Sequence, residues 1–294
     1  MKNLSVVIGY YGKNGAVIAG DKRNLLFNGI ESNRAKLEEV LYSGEIKNDE
    51  ELFKKASEFE VTVHINDTRE KVKSLGNLLS GEVVSIGKDS KRRRMYLTKE
   101  KCAIIDIEND QITNKSVKTG SGIVVFGNRY VKHFVESEIK KHVQKLLKMS
   151  AREIRDLFEK ILKNIENATL SDTFEYYVVE AGEPEFEKAV NKDLDDLFNY
   201  RHDLSIKMAE MQILTMIAEK IVKIGDVGVI KNGTLVLYDE FLAINKICPE
   251  PEIYSEIEIT GEFIEGDIIT IDNESLKVKR TGSPVAVQKI ICKK

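Results

Sequence analysis

Three kinds of side chain near the N-terminus could together perform nucleophilic chemistry: the hydroxyl of Ser5, the carboxylate of Asp21 and the cations Lys22 and Arg23. A serine is a weak nucleophile and needs a base or cation close by. The segment between these residues suggests how they meet. Val6, Val7 and Ile8 form a β-branched run, Gly12-Lys13-Asn14-Gly15 carries an Asn-Gly pair suited to a turn with φ > 0, and Ala16 to Gly20 is a second apolar stretch. The spacing predicts a tight hairpin of two largely buried strands. In an antiparallel pair the start of the first strand lies beside the end of the second, so Ser5 falls next to Asp21. Taken singly, a serine here is just a serine and an Asp-Lys-Arg triplet after a strand is solvated loop; the joint spacing carries the hypothesis.

The rest of the chain must hold that hairpin. A strand and loop are expected over 24–30, and a short strand over 36–41. A helix follows over 48–59, with Leu52, Phe53 and Ala56 at helical spacing behind Asp49-Glu50-Glu51. Residues 59–65 alternate like a strand, and 67–79 read as a helix through Val72, Leu75, Leu78 and Leu79. Several strands are expected over 80–117. Lys91-Arg92-Arg93-Arg94 in their midst reads as a solvated hairpin turn or as a basic patch that docks an acidic segment of a partner; nucleic acid fits least, since no aromatic platform accompanies it. A long helix is expected over 126–149. Ser150-Ala151-Arg152-Glu153 is a capping box opening another helix, and 174–180 is a closing strand.

All four prolines lie beyond Gly182, which places a domain boundary at Gly182-Glu183-Pro184. This gives domains 1–183 and 184–294. The second holds a helix over about 186–222 and short strands over about 225–294. Its helix carries an apolar stripe through Leu194, Leu204, Met208 and Met211, for core packing or an adaptable binding face. Turns at Lys231-Asn232-Gly233, Glu265-Gly266-Asp267 and Asp272-Asn273 suit a small β-barrel.

Composition bounds the function. The 294 residues suit about two domains, and a net charge of −3 offers no whole-molecule attraction to nucleic acid. No apolar run reaches transmembrane length. Cys102, Cys248 and Cys292 are few and scattered, which suggests reduced cytoplasmic thiols, and the four histidines lack metal-ligand spacing. No metal or cofactor is expected.

Residues 5–23 resemble the first two strands of proteasome β-type subunits, an N-terminal nucleophile hydrolase family whose mature chain opens with Thr. Ser5, Gly9, Lys13-Asn14-Gly15, Ala19, Asp21 and Lys22-Arg23 fall in register without a gap. Arg34-Ala35-Lys36-Leu37 resembles the family's Lys-Lys-Leu stretch after a one-residue deletion, which makes Lys36 the counterpart of its catalytic lysine. Lys118-Thr119-Gly120-Ser121-Gly122 matches its Thr-Gly-Ser-Gly turn, and Ser171 fits the Ser before its closing strand. The family's Asp near that point has no clear partner: ungapped counting lands on Ala168, and Asp172 is close by. The resemblance implies a four-layer αββα domain in an α+β protein. It also implies that Ser5 attacks with its own α-amine as base, beside Lys36 and Asp21. Oxyanion donors would come from around Gly120, Ser121 and Gly122, or from the residues after Lys36. Ser5 must then be the first residue, so Met1-Leu4 is expected to be a removed propeptide or the product of a start misassigned ahead of a UUG codon at Leu4.

The proteasome-like half, the serine nucleophile and the helix-plus-barrel half together resemble connectases, protein ligases of methanogenic archaea. That resemblance implies recognition of a Lys-Asp-Pro-Gly-Ala-like stretch, cleavage of its Asp-Pro bond, an acyl-enzyme on Ser5, and transfer to a polypeptide with an N-terminal proline. The implied partner is a subunit of the methyltransferase that moves methyl groups from tetrahydromethanopterin to coenzyme M. Arg92, Arg93 and Arg94 are the candidates for its acidic residues, and a monomer is expected. Two other readings stay open: a peptidase or amidohydrolase of the same class, and a non-catalytic binding protein if Met1-Leu4 is retained.

Overall fold

The expected hairpin forms, as β1 (Val7–Gly12) and β2 (Gly15–Asp21), and every residue of both strands is buried. Its tight turn needs a glycine, since Gly15 has φ 122°. The computed structural model describes residues 4–86, 90–272 and 275–294. The chain divides into two units, Met1–Asp195 and Asp196–Lys294.

After β2 the chain makes an excursion through β3 (Asn24–Asn28), α1 (Glu31–Ser43), α2 (Asp49–Glu58) and β4 (Thr62–Asn66), with β3 paired to β4. It then lays down β5 (Val72–Leu75), β6 (Leu78–Ile86), β7 (Ser90–Thr98), β8 (Lys101–Glu108) and β9 (Gln111–Thr119) as one antiparallel meander. Next come β10 (Gly122–Phe126), α3 (Arg129–Lys140), α4 (Val143–Leu146), α5 (Ala151–Lys163), β11 (Phe174–Val179) and α6 (Phe186–Glu219). The central sheet runs β10-β1-β2-β11.

Side-chain alternation divides that sheet between two cores. Val6, Ile8, Val17 and Ala19 pack against Val131, Val135, Ile154 and Phe158 of α3 and α5. Val7, Ala16 and Ile18 pack against Val72, Leu79, Met95 and Leu97 of the five-stranded sheet. Burial on both faces explains why β1 and β2 read as continuous apolar runs. On the outer face of the five-stranded sheet lies the start of α6, with Phe186, Val190 and Leu194 buried. There Asp193 accepts hydrogen bonds from Arg94 Nη1 and Tyr96 Oη, both at 2.8 Å. The layers of the first unit are therefore helices, sheet, sheet and one helix segment.

Several elements differ from expectation. Residues 36–41 belong to helix α1, because Leu37 and Leu41 share one helical face and Gly44 at φ 83° closes the helix. The helix expected over 67–79 is instead the β5–β6 hairpin. Its apolar positions satisfy either period, and Gly76 at φ 68° supplies the turn. The helix expected from 126 starts at Arg129, after strand β10, with Asn128 as its cap. Lys91 to Arg94 lie within strand β7 rather than at a turn. The capping box is present: Ser150 accepts from Glu153 N–H while the Glu153 carboxylate accepts from Ser150 N–H. By compactness the chain clusters into units that meet inside α6, whose first turns carry the buried Phe186, Val190 and Leu194. Leu194 is buried there, but Leu204, Met208 and Met211 of the same stripe are exposed rather than in a core.

In the second unit, β12 (Ile224–Lys231), β13 (Thr234–Leu237), β16 (Glu256–Gly261), β17 (Ile268–Asp272), β18 (Ser275–Val278) and β19 (Pro284–Val287) close into a six-stranded barrel. β14 (Phe241–Ile244), β15 (Ile253–Tyr254) and β20 (Ile290–Lys293) form a separate small sheet. Closure leaves no open edge on the barrel. Two of its expected turns use positive φ at Asn232, Gly233 and Gly266. The third was expected at Asp272-Asn273, and Asn273 lies outside the described residues.

Candidate active site

The hairpin register places the Ser5 end of β1 at the Asp21 end of β2. Val7 pairs with Gly20, and one step on Asp21 N–H donates to the Val6 carbonyl at 3.2 Å. The Asp21 carboxylate turns back to the same strand: Oδ1 accepts from Val6 N–H at 2.7 Å, in the peptide unit that joins Ser5 to Val6. Its other oxygen accepts from Arg23 N–H at 2.8 Å and from Lys71 Nζ at 2.7 Å. Lys71 also donates to the Arg23 carbonyl at 2.5 Å. Asp21 is 1% exposed and Lys71 6%. Burial pushes the Asp21 carboxyl up and the Lys71 amine down, and each one's charge opposes the other's shift without reversing it.

Lys71, not Lys36, is the lysine on Asp21. Lys36 is exposed on α1, inside the excursion that separates β2 from β5. Lys71 arrives as the chain re-enters the sandwich: Arg69 N–H donates to the Lys22 carbonyl at 3.1 Å, and Val72 packs on β2. Gly20 makes room for this, since a Cβ there would stand 2.9 Å from a Val72 methyl.

The other wall of this end comes from β10 and β11. Because β10 runs antiparallel to β1, Phe126 pairs with Val7 and the next residues, Gly127 and Asn128, arrive at Ser5. A Cβ on Gly127 would lie 3.3 Å from the Ser5 carbonyl oxygen. Asn128 is fully buried; its Oδ1 caps α3 through Val131 N–H at 2.7 Å, and its Nδ2 donates to Thr169 Oγ1 at 2.9 Å. Ser171 accepts from Lys22 N–H at 2.9 Å and donates to the Thr173 carbonyl at 2.6 Å. Asp21 itself pairs with Phe174 of β11.

The structure thus brings Ser5, Asp21 and Ser171 to one end of the central sheet. It does not bring Gly120, Ser121 or Gly122 there. Gly122 pairs with Tyr11 at the far end of β1, and the Ser121 hydroxyl bonds Tyr10. Strand β10 intervenes between the Thr-Gly-Ser-Gly turn and the helix, so Gly127-Asn128 stand where those glycines were expected.

Arg23 is a clip. Its guanidinium forks onto Asp67 through Nε and Nη2, both at 2.9 Å, bonds Asp49 at the start of α2, and donates to the Ala168 carbonyl at 2.9 Å. Those two carboxylates offset the burial that would otherwise loosen its proton. It ties three loops around the site. Ala168 therefore contributes a backbone carbonyl, and Asp172 is exposed.

The basic run Lys91 to Arg94 faces carboxylates of its own chain. Arg92 and Arg94 meet Glu82 at 2.8 and 2.7 Å, Arg93 meets Asp106 at 3.1 Å, and Lys91 meets Glu108 at 2.8 Å. Glu82 is held low by the two arginines against the burial that would raise it. This is a ladder of ion pairs across neighbouring strands, with Lys91 and Arg93 partly exposed. Cys102 lies between the sheets, its thiol pushed up to about 12 by burial.

Ser5 itself is half-buried and lines a cavity of about 320 Å³ with residues of β3, β4, α1 and the loop before β5. Among the described residues no three His, Cys, Asp or Glu side chains stand together to hold a metal ion, and no helix is long and apolar enough to cross a membrane.

Ser5 thus lines a cavity and lies one peptide unit from the buried Asp21–Lys71 pair. Residues 4–197 match a family described as Connectase MJ0548-like, N-terminal domain, and residues 199–292 match Connectase MJ0548-like, C-terminal domain. The chain belongs to the connectase family. A search of curated proteins found no match.

Proposed function

We propose that the protein is a sequence-specific protein ligase of N-terminal nucleophile type. It cleaves a Lys-Asp-Pro-Gly-Ala-like site, holds the upstream part on Ser5 and passes it to a polypeptide with an N-terminal proline. The observation that carries this reading is the buried Asp21–Lys71 pair, bonded to the peptide unit that follows Ser5. The helix–sheet–sheet–helix layering supports the proteasome-like ancestry of the first unit, and the family match supports the ligase activity.

In this account Ser5 becomes the first residue. A free α-amine has a pKa near ~7.7–8, so a useful share is neutral near pH 7. It takes the Ser5 Oγ proton as Oγ attacks the aspartyl carbonyl of the Asp-Pro bond. Lys71, oriented by Asp21, keeps that amine deprotonated and steadies the attacking oxygen. Backbone N–H groups at the start of α3, around Gly127 and Asn128, supply the oxyanion donors, each worth ~3–4 kcal/mol. The proton moves to the departing proline nitrogen, and an ester forms on Oγ. The ester carbonyl lies one five-membered ring from the α-amine, so the acyl group shifts from oxygen to nitrogen. The resulting amide resists water, and the steps reverse when an N-terminal proline arrives. Ser171 holds the Lys22 backbone and so the end of β2. The partner is a subunit of the tetrahydromethanopterin:coenzyme M methyltransferase of methanogenic archaea, met by this chain as a monomer in the cytoplasm.

The test is a competition between water and amine. The chain beginning at Ser5 is mixed with a labelled Lys-Asp-Pro-Gly-Ala peptide and an excess of a second peptide with N-terminal Pro-Gly-Ala. Exchange of the C-terminal part without net hydrolysis is expected; accumulation of free acid would identify a peptidase instead.

A further inference from the structure

The cavity at Ser5 contains a feature that the ligase chemistry does not use. Arg34 of α1 and Arg69 of the loop before β5 both line it. The Arg34 Nε is buried with no hydrogen-bond partner among the described residues. A guanidinium N–H withdrawn from water and given no acceptor is unfavourable unless an acceptor arrives. Arg69 is braced rather than swung out: Nη1 donates to Asn24 Oδ1 at 3.2 Å, and Nη2 lies 4.0 Å from Glu82. Glu38, one helical turn beyond Arg34, and the exposed His64 are the other titratable groups of the lining among the described residues. Glu82 is shared with Arg92 and Arg94, so it leaves the Arg34 guanidinium unneutralised. Leu25 and Phe27 of β3 offer apolar surface beside it for a short aliphatic stem.

We infer that Arg34 and Arg69 form an acid-selective subsite for the residue whose carbonyl Ser5 attacks. Its side-chain carboxylate accepts the orphan Arg34 N–H and pairs with both guanidiniums, which fixes the carbonyl over Ser5. A planar fork suits a carboxylate better than an amide of the same shape, because charge-assisted hydrogen bonds are about twice as strong as neutral ones. The inference rests on Ser5 as the nucleophile of the ligase reading. The excursion between β2 and β5 would then be the specificity element, since it brings Arg34 and Arg69 to the cavity.

The test is binding without chemistry. In the Ser5→Ala protein, fluorescence anisotropy compares dissociation constants for a labelled dodecapeptide containing Lys-Asp-Pro-Gly-Ala and its Asp-to-Asn counterpart. The expected preference for the aspartyl peptide is about tenfold or more. Arg34→Gln combined with Arg69→Gln should bring it close to unity by weakening only the aspartyl peptide. Should that double variant fail to fold, Arg34→Lys, which keeps the charge and loses the fork, should still lower the preference severalfold. An unchanged ratio in these variants, or equal binding of both peptides by the parent, would overturn the subsite. Conjugate formation by the unmodified Ser5 protein is scored separately: a conjugate with an unchanged ratio removes the subsite alone, and no conjugate removes the ligase reading.

Discussion

Lys71 Nζ lies 2.7 Å from Asp21 Oδ2, with the two side chains 3% and 0% exposed. The pair sits at the end of β2, one peptide unit from Ser5. Breaking a buried ion pair by removing one partner leaves an uncompensated charge, at a cost on the order of 3–5 kcal/mol. Lys71→Met should therefore destabilise the first unit by about that amount, whereas Lys71→Met with Asp21→Asn should cost clearly less than the sum of the single changes. Urea unfolding of the four proteins measures the coupling, and simple additivity would contradict it.

Arg23→Lys should be nearly as disruptive. A lysine keeps the charge but cannot fork onto Asp67 while bonding Asp49 and the Ala168 carbonyl. A loss of about 1.5–3 kcal/mol, that of hydrogen bonds to a charged group, is expected, together with faster amide exchange at the start of α2 and around Ala168. An unaffected exchange pattern would mean that the clip is not needed.

Acid sensitivity should concentrate on the outer ladder. Glu82 and Asp193 are both held below the ordinary carboxylate range, against burial, by Arg94 and its neighbours Arg92 and Lys73. A carboxylate with a depressed folded pKa contributes stability above its unfolded pKa and loses it as pH falls through the folded value. Arg94→Gln lets both carboxylates drift upward, so its destabilisation should be full at pH 7 and shrink as the pH drops below about 4. Denaturation midpoints across that range check the sign; a constant difference would not fit.

Cys102 should be inert. With a thiol pushed up to about 12 and no exposed surface, it offers almost no thiolate at pH 8. Iodoacetamide followed by peptide mapping should label Cys248 first and leave Cys102 unlabelled until denaturant is added. Rapid labelling of Cys102 in the folded protein would contradict its burial and make it a competing nucleophile.

The hairpin and the Ser5–Asp21 neighbourhood were legible because both depend on local register: a two-residue turn between two apolar strands places one strand's start at the other's end. The barrel was legible through its turns. Lys71 was not, because its partnership is long-range. Counting along the chain stops at Lys36, whereas the excursion from β3 to β4 postpones the return to the sheet until Lys71. Ser121 misled for a related reason: a Thr-Gly-Ser-Gly turn looks the same whether a helix or a strand follows it. The ion pairs of the β7 arginine run were not legible, because their carboxylates, Glu82, Asp106 and Asp193, are brought in by strand pairing and by α6.

The central claim is that Ser5 works with Asp21 and Lys71. Intact-mass spectrometry of the chain beginning at Ser5, mixed with a Lys-Asp-Pro-Gly-Ala peptide, tests it most directly when Lys71→Ala is set beside Lys36→Ala. A folded Lys71→Ala protein should lose the acyl conjugate by a factor of about 100 or more, as Ser5→Ala loses it altogether, while Lys36→Ala should form it at close to the parent rate. Full conjugate with Lys71→Ala, or its loss with Lys36→Ala alone, would contradict the account.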